Sequence, residues 1–135
     1  MNAALLYLDS SAIIKVAVAE HESKALMTFL QEWPNRVSSE LARTEVLRAL
    51  RRSGVSAPEF RRGQKVLDRI GMISIDTAVL TRASLLKPVT LRSLDAIHLA
   101  TVLSLGDDLA GMVVYDGRLA EAAVRAKVQV WSPGS

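Results

Sequence analysis

Four carboxylates occupy positions where an unpaired negative charge is costly. Asp95 lies inside Leu94-Asp95-Ala96-Ile97-His98-Leu99-Ala100-Thr101-Val102-Leu103-Ser104-Leu105, a predicted helix with apolar residues on almost every face. An ionised Asp in that setting must be paired, hydrogen-bonded or bound to a metal. Asp9 follows the apolar run Ala3-Ala4-Leu5-Leu6-Tyr7-Leu8, and Asp116 follows Met112-Val113-Val114-Tyr115. Glu45 borders the face formed by Ala42, Val46, Ala49 and Leu50. If the four converge, they form an acidic pocket for hard divalent cations.

Each carboxylate also has a simpler role open to it. Asp9 suits the cap of the helix that follows, Asp116-Gly117 suits a turn, Asp95 suits the positive end of a helix, and Glu45 suits a surface pair with Arg48. It is the set that points to chemistry. By contrast, Glu20, Glu22, Glu32, Asp68, Asp107 and Asp108 stand in polar or terminal settings and read as solvated. His98, three residues after Asp95, reads first as a hydrogen-bonded core imidazole rather than a base or ligand. A serine hydrolase assembled from Ser10 or Ser11, His98 and Asp95 lacks the Gly-x-Ser-x-Gly elbow. The seven glycines form neither a dinucleotide fingerprint nor a Walker loop.

The elements that must position these acids follow from the pattern of the chain. Residues 3–8 read as a buried strand, with Ser10 or Ser11 capping a helix over 12–19. An amphipathic segment over 22–33 ends before Pro34, and Arg36-Val37-Ser38 is a short second strand. Ser39 caps a helix to about Ser53, and Pro58 opens another to about Ile70. A third strand over 72–75 precedes a helix capped by Asp76. After Asp95's helix come a strand over 112–115, an Ala-rich helix over 119–127 and a last strand over 128–131. Such alternation implies an α/β sandwich around a largely parallel sheet. Ligands of such sheets collect beyond the strands' carboxyl ends, where the strand order reverses. Asp9 and Asp116 are therefore expected at one crevice, with Asp95 approaching from the side.

Composition narrows the classes further. The chain has 135 residues, enough for one domain with a proper core, and no cysteine, so disulfides and thiolate zinc sites are excluded. Aromatic residues make up 4%, too few for an array of base-stacking rings. The first basic residue is Lys15 and Asp9 interrupts the early apolar run, so neither a leader nor a membrane span is expected and the chain reads as cytoplasmic. A net charge of +3 suits an anionic partner. Arg43, Arg48, Arg51, Arg52, Arg61, Arg62, Lys65 and Arg69 concentrate in one stretch, read either as solvated helix faces or as a phosphate track.

Four ordered blocks resemble the PIN-domain ribonucleases, and within them the VapC-type toxins of bacterial toxin–antitoxin pairs. They are Leu8-Asp9-Ser10-Ser11-Ala12-Ile13-Ile14-Lys15, Glu45-Val46-Leu47-Arg48-Ala49-Leu50, Leu94-Asp95-Ala96-Ile97-His98-Leu99-Ala100 and Asp116-Gly117-Arg118-Leu119-Ala120-Glu121-Ala122-Ala123. The resemblance implies a single PIN domain over residues 1–135, a three-layer α/β sandwich with a mostly parallel five-stranded sheet of order 3-2-1-4-5. It also implies an endoribonuclease using Mg²⁺ or Mn²⁺, with Asp9, Glu45, Asp95 and Asp116 as catalytic and metal-holding acids. Its expected partners are RNA, a cognate antitoxin and a second copy in a homodimer, with no membrane. The chain departs from many relatives at Val114, where they carry Thr or Ser. The readings from other classes are a catalytically silent PIN-fold interaction module and a receiver-type phosphoacceptor, which needs paired acids after the first strand and a lysine after the last.

Overall fold

A computed structural model of the chain describes residues 4–135; Met1, Asn2 and Ala3, the last of which begins the expected first strand, lie outside the described residues. The elements run β1 (Leu5–Leu8), α1 (Ser10–Ala17), α2 (Ser23–Leu30), β2 (Arg36–Ser39), α3 (Leu41–Arg52), α4 (Ala57–Asp68), β3 (Gly71–Ile73) and α5 (Thr77–Leu85). They continue with α6 (Ser93–Ser104), β4 (Leu109–Val113), α7 (Gly117–Arg125) and β5 (Val130–Trp131). The five strands form one sheet of order β3-β2-β1-β4-β5, and every pairing is parallel.

Alternation along β1 divides the core into two halves. Leu6 and Leu8 pack with Ala12, Ile13, Leu26, Leu30, Val46, Leu50 and Leu67 beneath α1 to α4. Tyr7 points the other way, into a cluster with Leu99, Val102, Met112, Leu119 and Ala123 beneath α6 and α7. Each buried leucine contributes about 1.5–3 kcal/mol to holding helices on the sheet. Trp33 and Trp131 pack with Phe29 at centroid separations of 5.4–6.1 Å and tie the end of α2 to β5.

Local signals explain most boundaries. Ser56 and Glu59 form a reciprocal capping box at α4, with Pro58 in its first turn, and Asp76 caps α5 through Val79 N–H. At α1 the expected serine cap is corrected: Asp9 itself is the N-cap, accepting from Ser11 N–H at 3.2 Å. Ser39 does bond the start of α3, accepting from Leu41 N–H at 3.1 Å, although Glu40 holds the cap position. The fourth strand runs Leu109–Val113, starting three residues earlier and ending two sooner than its expected span of 112–115, because pairing with β1 begins at Leu109. A Cβ on Gly111 would meet the Trp131 ring and stand 2.9 Å from Gln129 O. Gly111→Ala is therefore expected to cost about 1–3 kcal/mol, read as a lower urea midpoint with an unchanged slope.

Candidate active site

Parallel pairing brings the ends of β1 and β4 side by side. Leu8 is opposite Val113, and Asp9 N–H donates to Val113 O at 3.0 Å, so Asp9 and the segment leading to Asp116 leave the sheet together at the strands' carboxyl ends. This is where the strand order reverses, because β1 is followed by β2 on one side and has β4 on the other. Asp116 lies three residues beyond the strand, with Val114 and Tyr115 between.

Asp9 is 5% exposed, and its two carboxylate oxygens are used differently. Oδ2 accepts from Ser11 N–H and, at 2.7 Å, from the Ser11 hydroxyl, which itself accepts Tyr115 N–H at 2.9 Å. Oδ1 stands 3.7 Å from His98 Nε2. Ser11 thus clamps the carboxylate and fastens the β4 end to it. Asp116 is similarly half-committed: Oδ1 caps α7, accepting from Arg118 and Leu119 N–H at 3.0 Å each. Its turn and cap role is therefore real, and Oδ2 is left over.

Glu45 does not take the simpler surface pairing with Arg48. Its Oε1 accepts from the Ser10 hydroxyl and from His98 Nε2, both at 2.5 Å. On the other side of the ring, His98 Nδ1 is 2.6 Å from the Tyr7 hydroxyl, which accepts Ser39 N–H at 3.1 Å. One polar chain therefore joins α1, α3, α6, β1 and β2 through an imidazole only 1% exposed. The core-imidazole reading of His98 fits, with acids as its neighbours. Burial pushes His98 down from its ordinary value, but the Glu45 bond and the charges of Asp9, Glu45 and Asp95 outweigh it and raise the group. Burial likewise pushes Glu45 up, and the His98 and Ser10 bonds together with the His98 charge bring it below the ordinary carboxylate range.

Asp95 is the contrasting case. Half-buried in the first turn of α6, it makes no side-chain hydrogen bond or ion pair among the described residues. Its carboxyl is raised by burial and by the negative charges of Asp116, Asp9 and Glu45, with His98 opposing. The four acids thus share one electrostatic field. Asp95 and Asp116 line one crevice directly, with Arg92, Gly117, Arg118 and Glu121. Among the described residues, no three Asp, Glu or His side chains are drawn together closely enough to hold a metal ion. The donor chemistry nonetheless suits a hard cation. Asp95 keeps both oxygens unbonded, Asp116 keeps one, and Asp9 keeps one with only the His98 contact.

The long basic stretch maps to α3 and α4. Its cations are exposed, Arg43 pairs with Asp68 at 2.9 Å, and none lines the crevice of Asp95 and Asp116. The crevice arginines are Arg92, Arg118 and Arg125, which sequence reading did not single out because they are scattered singly. Val114 is wholly buried against the Tyr7 and Leu99 cluster, so its side chain serves the core.

The PIN domain family matches residues 6–124. Ribonuclease VapC46 of Mycobacterium tuberculosis is 47% identical over 130 residues, covering 96% of this chain and 98% of that protein. Ribonuclease VapC47 of the same species is 32% identical over 135 residues, and Ribonuclease VapC35 is 36% identical over 137; each alignment covers at least 96% of both proteins. With this sheet and these full-length relatives, the chain belongs to the PIN-domain family, in its VapC-type branch. A toxin–antitoxin complex from Klebsiella pneumoniae has the same fold, with a TM-score of 0.62 at 22% identity, over 81% of this chain and 84% of that one. Family membership displaces the receiver-type reading. No helix among the described residues is long and apolar enough to cross a membrane.

Proposed function

We propose that this chain, as a single domain over residues 1–135, is a divalent-metal-dependent endoribonuclease acting in the cytoplasm as the toxin of a toxin–antitoxin pair. The observation that carries the reading is Asp95: a half-buried carboxylate without a hydrogen bond among the described residues, in the field of three other acids at the sheet's switch point. Similarity along nearly the whole chain to proteins named ribonucleases supports RNA as the substrate.

In this reading Asp9 and Asp95 hold Mg²⁺ or Mn²⁺ directly, and Asp116 and Glu45 serve a second ion or its waters. A bound cation supplies Lewis-acid charge to the phosphodiester and its attacking water. Ser11 fixes Asp9 by one oxygen and so aims the other. Asp116 is held by the first turn of α7 in the same manner. Ser10 and His98 hold Glu45 at the inner wall.

Two surfaces support the protein partners. An antitoxin peptide over the first helices has a groove of about 500 Å³ there, with Val16, Met27 and Val66 as apolar lining and Lys24, Arg62 and Arg69 as cations. For a homodimer, the exposed apolar side chains of Leu80 in α5 and Val89 beyond it line one pocket with Ile97 of α6.

The test is cleavage of single-stranded and structured RNAs by purified protein with Mg²⁺, with Mn²⁺ and with chelator. Cutting is expected with either metal, falling at least about 100-fold in chelator and returning when metal is restored. Cutting that ignores chelator removes the metal mechanism. RNA binding without cutting under any metal condition returns the silent interaction-module reading.

A further inference from the structure

The acids of the site face a second, unexplained set of charges. Two adjoining cavities of about 490 and 500 Å³ open beside Asp95, and both are lined by Arg92, Asp95, Arg118 and Glu121. The first extends to Arg125 and the second to Asp116. Arg92 is the residue before α6, three positions ahead of Asp95. Arg118 and Arg125 are seven apart on α7, two turns along one face, so the three guanidinium groups border a single continuous trough.

An arginine beside a carboxylate ordinarily pairs with it. Here Arg92 and Arg118 make no ion pair or side-chain hydrogen bond among the described residues, and both are exposed. Arg125 has only a 3.9 Å contact with Glu121, between two side chains about two-thirds exposed, which contributes little. The trough therefore presents two uncommitted planar forks and a third loosely held one, immediately beside acids that repel any anion not brought in by a counter-charge. A guanidinium fork matches a phosphodiester's oxygens bidentately.

We infer that Arg92 and Arg118, extended by Arg125, form a subsite for the sugar-phosphate backbone of single-stranded RNA, seating the nucleotides next to the bond that is cut. This inference rests on the ribonuclease reading above and adds the path of the substrate to it. The acids repel the strand elsewhere, so the arginines set its direction across the mouth. Because they contact backbone, they contribute affinity and register rather than base identity.

The test is fluorescence anisotropy of a 5′-labelled single-stranded RNA of about 12 nucleotides, titrated in chelator so that it is not cut. Wild type is compared with the double variant Arg92→Ala/Arg118→Ala across salt. Loss of two phosphate contacts is expected to reduce the slope of log K against log salt by about 1.4, and to weaken binding about tenfold or more at low salt. In metal, KM rises by a similar factor while kcat stays within about twofold, because binding shared equally by ground and transition states is lost. Arg92→Lys/Arg118→Lys restores most of the salt slope by charge alone. An unchanged slope and KM in the alanine variant, from a wild type that cuts RNA, overturns the subsite alone. A wild type that neither binds nor cuts RNA overturns the ribonuclease reading with it. Arginine-dependent binding of poly-glutamate, with RNA binding indifferent to the substitutions, assigns the trough to an acidic protein partner and overturns the inference.

Discussion

Asp95→Asn is expected to abolish cleavage and, in chelator, to raise the melting temperature. The two effects have one origin. Burial and the charges of Asp116, Asp9 and Glu45 lift the Asp95 carboxyl above its ordinary value, so the folded chain holds the proton more tightly than the unfolded chain does. Ionisation of Asp95 therefore drains stability as pH rises from the unfolded value of about 4 through the folded one. The neutral amide removes that cost. The gain should be full above the folded value and vanish below about pH 4, where both states of the wild-type carboxyl are protonated. Metal reverses the order. At about 100 times its dissociation constant a cation stabilises the wild type by roughly 2.7 kcal/mol through linkage, and the variant by much less. Activity should fall at least about 100-fold, since the amide supplies no ligand charge. A variant that cuts RNA normally, or whose melting temperature is not raised in chelator, removes Asp95 from the role assigned to it.

The legibility of this fold follows the strength of its local signals. Buried parallel strands read as continuous apolar runs, and β1 is found within one, whereas β5 is two residues long and carries almost no pattern of its own. The start of β4 escapes because Leu109-Ala110-Gly111 has neither alternation nor β-branched residues; its pairing beside β1 makes it a strand. The identity of the chemistry-bearing acids can be read because an ionised carboxylate among leucines needs a reason. Their partners cannot be read, since Ser10 and Glu45 are 35 residues apart, Tyr7 and His98 are 91 apart, and only the sheet brings them together. Serines 10 and 11 look alike on paper, yet one holds Glu45 and the other Asp9, because successive residues at a helix start face different directions. Arginines 92 and 118 are likewise anonymous in sequence, and become a pair only when α6 and α7 border one trough.

Replacing His98 is expected to be the most damaging single change to stability. His98→Leu leaves Glu45 half-buried without its imidazole donor and leaves the buried Tyr7 hydroxyl without the ring nitrogen. Each of the two lost bonds costs about 1–3 kcal/mol, so a total loss of about 2–6 kcal/mol is expected in urea unfolding. Tyr7→Phe should cost less: Ser39 N–H and His98 Nδ1 both lose the hydroxyl, but the charged Glu45–His98 pair persists. The two substitutions should be non-additive by about 0.5–3 kcal/mol, since they act on one chain of bonds. The pH dependence separates this from simple loss of packing. His98 is raised above 6.5, so its contribution is full below that value and is lost as pH rises through the folded one. Glu45 is lowered from 4.5, so its contribution is full above that value and is lost as pH falls through the folded one. The pair therefore stabilises most between about pH 4.5 and 6.5, and His98→Gln, which keeps an amide donor but no charge, should flatten the falls in stability that flank that window, above about pH 6.5 and below about pH 4.5. A stability curve that His98→Gln leaves unchanged in shape means that the ring contributes by filling space, and that Glu45 is held by Ser10 alone.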